Sequence, residues 1–185
     1  MLEDGRLNQP DFSAVELEIL LKLFFEDGSQ LGTFTQTSAD QVPEPSRSLL
    51  AHDHHMTVTL EQHHEGPVDV KVLATRTDGG RYSRKILLTR QSDDAVVQYG
   101  IVRLDMTVLT SEVRREIEAK ETPLGRILIA HDVLRQVKLL SLFKIQCGDE
   151  LAKSLGFETG QVCYGRTALI YCDGVPAIEL LEIVS

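Results

Sequence analysis

The feature that most restricts what this chain can fold into is a two-residue alternation that returns in block after block from Val68 to the C-terminus. Val68, Val70 and Val72 alternate with Asp69, Lys71 and Leu73, and Ser83 to Thr89 repeats the signal after an Asp78-Gly79-Gly80 turn. Successive side chains of a strand point to opposite faces, so this spacing suits two antiparallel strands, each with one buried face. A third strand is expected over Val96 to Leu104, after a Ser92-Asp93-Asp94 turn and with Gly100 as a bulge position. Val162 to Tyr171 and Pro176 to Val184 flank Asp173-Gly174. That arrangement is a hairpin signal, because Asp-Gly fits the turns whose twist matches paired strands.

Helical signals surround the strands. Ser13 with Glu16 reads as a capping box ahead of an apolar stripe formed by Val15, Leu17, Ile19, Leu20, Leu21, Leu23, Phe24 and Phe25, stopped by Asp27-Gly28. Residues 29–48 turn to Thr, Ser, Gln and Pro and read as a long surface loop. From Ser48 to Leu60 the pattern fits either the end of one short helix and the start of another, or a loop entering a strand. Thr110 caps a helix with Glu112 and Glu116 early and Lys120 late, which ends before Pro123. Arg126 to Leu142 carries Ile127, Leu128, Val133, Leu134, Val137 and Leu140 at roughly helical spacing, and Glu150 to Ser154 adds a turn closed by Gly156. The expected class is α+β: one antiparallel sheet with helices on one face.

The 185 residues fit a single domain, with 1–48 as an N-terminal helix and loop extension. A chain of this length buries roughly 70% of the surface it exposes when unfolded, enough to enclose a pocket. Lys and Arg number 19 against 28 Asp and Glu, a net charge of −9. That balance speaks against nucleic acid or an anionic membrane surface as partner. An anionic small molecule, in contrast, needs only a local arginine. No apolar run reaches the ~18 residues of a membrane span, and the opening MLEDGRLNQPDF is too polar for a signal peptide. A cytoplasmic protein is therefore expected, a monomer or small homo-oligomer. Cys147, Cys163 and Cys172 show no paired spacing and are expected to be reduced.

Three chemistries compete. Five histidines, His52, His54, His55, His63 and His64, gather near Asp53 and Glu61, but the run lacks the HxxxH spacing of a zinc site, and a solvated polar segment is favoured. No nucleophile elbow supports Ser or Cys catalysis. The third chemistry starts from Arg84, which alternation places on one face with Ile86 and Leu88, where a cation is costly without an anionic partner. Glu179 and Glu182 interrupt the last apolar run in the same way and, being three apart, cannot share a face of a regular strand. A structural Arg–Glu salt bridge and a ligand site both satisfy this pattern.

The segments Leu49 to Glu61, Ser83 to Leu88, Glu121 to Leu128, Tyr164 to Arg166 and Gly174 to Glu182 resemble, in that order, the chorismate lyase family. The resemblance implies a single antiparallel sheet with two helical flaps over an internal cavity, and cleavage of chorismate to 4-hydroxybenzoate and pyruvate without metal or cofactor. It implies that Arg84 grips the ring carboxylate, that Glu182 meets the ring hydroxyl and could share a proton with it, and that Met56 and Leu124 line the ligand. Arg126 and Arg166 would be helpers or structural residues. Glu179 stays a rival of Glu182, since the spacing after Pro176 varies between branches of the family. The alternatives are a non-catalytic domain of the same fold that binds an aromatic carboxylate, and a metal-dependent enzyme using His52 to His64.

Overall fold

The computed structural model describes residues 12–133 and 135–185, with side chains from residue 17 onward. The Ser13–Glu16 capping pair, Val15 and Leu134 therefore lie outside the described side chains. The chain runs α1 (Phe12–Lys22), β1 (Gly32–Thr37), α2 (Ser46–Leu50), α3 (Met56–His63), β2 (Val68–Asp78), β3 (Arg81–Arg90), β4 (Val96–Asp105), α4 (Ser111–Ala119), α5 (Leu124–Ala130), β5 (Arg135–Cys147), α6 (Asp149–Leu155), β6 (Val162–Cys172) and β7 (Val175–Val184). The strands form one antiparallel sheet in the order β1-β5-β6-β7-β4-β3-β2.

The α+β class and the single sheet agree with the sequence pattern, and the placement of the helices corrects it. They cover both faces rather than one. Leu20 and Phe25 after and within the α1 region, with Leu151 and Leu155 of α6, pack on Tyr99, Ile101, Phe143, Ile145, Leu181 and Ile183. On the opposite face, α4 and α5 cover Val102, Leu104, Ile170, Ile178 and Leu180, while α2 and α3 cover Ile86, Leu88, Leu142 and Val184. Alternation along β3, β4 and β7 feeds both cores at once, because each of these strands is central and covered on two sides.

Two further corrections concern elements. The expected loop over residues 29–48 contains β1, an edge strand whose exposed Thr and Gln side chains mask its pairing with β5. The expected helix over Arg126 to Leu142 stops at Ala130, and its second half is β5, the longest strand of the sheet. Between β1 and β6, β5 buries residues on both faces, so its apolar run satisfies helical and strand spacing alike. Gly100 makes no bulge: it pairs in register with Ile86 and Glu182, and the register shifts fall elsewhere in the sheet. The Thr110 cap is present, its Oγ1 accepting from Val113 N at 3.4 Å, and Gly156 ends α6 in the left-handed region.

One position shows how tightly the strands under α1 approach. A Cβ on Gly165 of β6 would lie 2.9 Å from the Glu182 carbonyl oxygen and 3.0 Å from both Ile145 Cδ1 and Ile183 Cγ1. Backbone cannot give way as a flexible side chain does, so Gly165→Ala is expected to lower stability by about 1–3 kcal/mol. Thermal unfolding of the variant beside the parent measures this, and an unchanged midpoint would refute the packing argument.

Candidate ligand-binding site

Helices α3 and α5 both begin over the same patch of sheet. Met56 and Leu124 are their first residues, and both are buried. The two helix starts meet at Gly125, where a Cβ would fall 2.8 Å from Thr57 Oγ1 and 3.1 Å from Thr57 Cβ. Any larger residue would push the helices apart. Between them and the sheet lies a cavity of about 40 Å³ whose walls include Met56, Leu124, Ile86, Val102, Arg166 and Glu182. That is room for a few water molecules, against at least ~300 Å³ for an ordinary ligand pocket. An aromatic acid enters only if α3 or α5 moves.

Arg166 of β6 is fully buried and fully engaged. Its Nε donates to Glu182 Oε2 at 2.7 Å, Nη1 to the carbonyls of His52 at 2.7 Å and Leu50 at 3.3 Å, and Nη2 to the His54 carbonyl at 3.1 Å. The Leu50 carbonyl ends α2, and those of His52 and His54 belong to the loop joining α2 to α3. Glu182, in β7, faces the cavity and is buried. Its other oxygen, Oε1, accepts no hydrogen bond among the described residues. Glu179 lies on the opposite face of β7, where Arg103 grips it through two nitrogens, Nη2 donating at 2.6 Å. Of the rival pair, only Glu182 reaches the cavity.

Arg84 of β3 stands in the opposite condition. It has 0% exposure, and neither its Nε nor either Nη has a hydrogen-bond partner among the described residues. Its register partner Val102 and its same-face neighbour Ile86 both line the cavity, and Arg84 lies behind them rather than in the lining itself. Burial holds its pKa below the usual arginine value, with the nearby Tyr82 acting weakly in the other direction. Two more buried polar atoms on this face are unpartnered among the described residues: Tyr82 Oη and Gln98 Oε1. Arg84 and Glu182 sit two strands and one residue pair apart, about 12 Å between Cα positions on ordinary sheet spacings.

The histidines do not converge. His52 and His54 stack at 5.4 Å in the α2–α3 loop, with His52 Nε2 2.7 Å from the Leu49 carbonyl. His63 and His64 lie at the far end of α3. Asp53 Oδ1 accepts from Leu139 N at 2.7 Å, and Glu61 is held by Arg126 and the Val68 amide. Among the described residues no three metal-ligating side chains gather, which corrects the metal-dependent alternative. His55 precedes α3, and its pKa is pushed down to about 4, first by burial and then by the charges of Arg135 and Arg166.

Of the residues expected around one pocket, Met56, Leu124 and Glu182 line the cavity and Arg84 does not, while Arg166, which sequence reasoning undervalued, does. The signal for Arg166 was available. In Tyr164, Arg166, Ala168 and Ile170 an arginine shares one strand face with apolar residues, the same anomaly that singled out Arg84.

No family model matches the chain, and no curated protein matches it. Among solved structures, the effector domain of PhnF from Mycobacterium smegmatis superposes with a TM-score of 0.54 at 12% identity, over 70% of this chain and 87% of that one. A gene product of Staphylococcus aureus subsp. aureus N315 gives a TM-score of 0.50 at 14% identity, over 64% and 82% respectively. Of these two structures, the one whose role is stated is an effector domain, not a lyase. This overturns the expected chorismate lyase activity, which rested on short segments with no family-level match behind them. The chain shares with the PhnF effector domain the fold of a single open antiparallel sheet packed by helices.

Proposed function

We propose that this chain is a non-catalytic small-molecule-binding domain that receives an aromatic carboxylate beneath α3 and α5. The observation that carries the reading is Arg84, a guanidinium with no exposure and no partner among the described residues, beside Ile86 and Val102 of the cavity wall. A buried cation without an anion costs several kcal/mol, and such a group in a folded protein calls for an explanation. A carboxylate supplies one, through two parallel charge-assisted hydrogen bonds to the planar fork. Met56 and Leu124 offer apolar contact to a ring, and Glu182 Oε1 and Gln98 Oε1 are acceptors for a ring hydroxyl.

The closed cavity bears on what binding does. Because α3 or α5 must move for a ligand to enter, occupancy is coupled to the position of these helices, and a sensing role like that of an effector domain follows from the coupling. Such a domain reports a ligand by holding it.

Isothermal titration with 4-hydroxybenzoate tests the reading, with saturable binding expected from the parent and none from Arg84→Met. Thermal unfolding gives a sharper contrast between the two buried arginines. Without ligand, Arg84→Met is expected to stabilise the protein by about 1–4 kcal/mol, because it removes an unpaired charge and keeps the volume. Arg166→Met is expected to destabilise by about 3–5 kcal/mol, because it strands Glu182 and the loop carbonyls. The double variant Arg166→Met/Glu182→Leu should recover part of that loss. Ligand at one hundred times Kd should stabilise the parent by about 2.7 kcal/mol and leave Arg84→Met unmoved. A less stable Arg84→Met that still binds would overturn the proposal.

A further inference from the structure

A groove of about 840 Å³ lies between α3 and the start of β5. It shares His54, His55 and Val137 with the cavity, so these residues form a common wall between the two spaces. Its remaining walls combine Val58, Ile129 and Val133 with the hydrogen-bonding side chains of Asp53, Thr59, Gln62, Asp132, Arg135 and Gln136.

Two polar atoms buried in these walls have no partner among the described residues: His55 Nε2 and Arg135 Nε. Arg135 spends Nη1 on the Val133 carbonyl at 3.0 Å, and Asp53 spends one oxygen on Leu139 N at 2.7 Å. With its pKa near 4, His55 is neutral at physiological pH and presents one donor and one acceptor. Two aspartates against one arginine give the groove no net positive charge, so it is poorly suited to a second anionic group. Hydroxyls suit it well, since each both donates and accepts. They can satisfy carboxylates, amides, a guanidinium and an imidazole together.

Resting on the cavity reading above, we infer that the groove holds an uncharged, polyhydroxylated arm of the ligand whose carboxylate sits at Arg84. The ligand class is then a conjugate of an aromatic acid with a sugar-like alcohol, rather than the free acid. Its ring lies under α3 and α5, and its arm lies against Gln62, Arg135 and Gln136.

Titration of the full chain with three probes tests this: 4-hydroxybenzoate, its 4-O-β-D-glucoside, and 4-(carboxymethoxy)benzoate, whose arm is anionic. The glucoside is expected to bind at least about tenfold more tightly than 4-hydroxybenzoate, the gain of one or two net hydrogen bonds. Gln62→Ala, on an exposed helix position, and Arg135→Ala should each remove most of that advantage. Nitrogen NMR of the Arg135 guanidinium, which lines the groove and not the cavity, should shift with the glucoside and not with 4-hydroxybenzoate, which reads the contact without any substitution. A glucoside no tighter than 4-hydroxybenzoate, or weaker than the carboxymethoxy compound, overturns the groove assignment and leaves the cavity reading standing. Absence of binding by all three overturns both.

Discussion

The arrangement above the sheet depends on one buried guanidinium. Arg166 spends its donors on Glu182 and on the carbonyls of Leu50, His52 and His54, so the chain between α2 and α3 is held to β6 although it belongs to no helix or strand. A backbone carbonyl away from water needs a donor, and a single planar side chain supplies donors to three of them here, the Leu50 carbonyl also accepting from His52 N at 3.0 Å. The position of Met56 follows, because α3 can begin only where the pinned loop ends. At its other end α3 is tied again: Arg126 of α5 donates to Glu61 and to the Val68 carbonyl, and Glu61 accepts from the Val68 amide. Fixed at both ends and pressed against α5 at Gly125, α3 leaves only a small enclosed space beneath it.

Two arginines thus lie on one face of one sheet in opposite electrostatic circumstances. Arg166 meets a carboxylate and three carbonyls supplied by the protein, while Arg84, two strands beyond Glu182, meets none among the described residues. Desolvation acts on both, and only one is compensated from within. The asymmetry distinguishes a framework residue from one for which the proposed ligand would be the partner. Gly100 supports it: lying in the row between Ile86 and Glu182, it keeps free a position where a Cβ would come within 3.1 Å of Ile86 and 3.3 Å of the Gln98 amide nitrogen.

What could be read from the sequence follows from how local each signal is. Strand alternation, the Asp173-Gly174 hairpin, the Thr110 cap and the Gly156 stop involve neighbours a few residues apart, and each appears where the pattern placed it. Arg84 was legible for the same reason, since its anomaly lies within a single strand. β1 was not legible, because an edge strand of Thr and Gln draws its order from pairing with β5, more than a hundred residues later in the chain. β5 was misread because burial on both faces erases the two-residue period that marks a half-buried strand. The choice between Glu179 and Glu182 needed the register of β7 against β4 and β6, which sets Arg103 opposite one and Arg166 opposite the other. The lyase expectation failed on another ground: residues that shape a cavity are shared across the fold, and chemistry is a property of the site rather than of the fold.

The uncompensated charge of Arg84 has a consequence for the life of the protein in a cell. A chain that keeps a naked cation in its interior sits closer to its unfolding threshold than the same chain with an anion bound. Proteases act on the unfolded fraction, so under the proposed binding role turnover would fall preferentially on empty copies and spare filled ones. The amount of protein that persists then records how much ligand the cell has held, without any further component to read it.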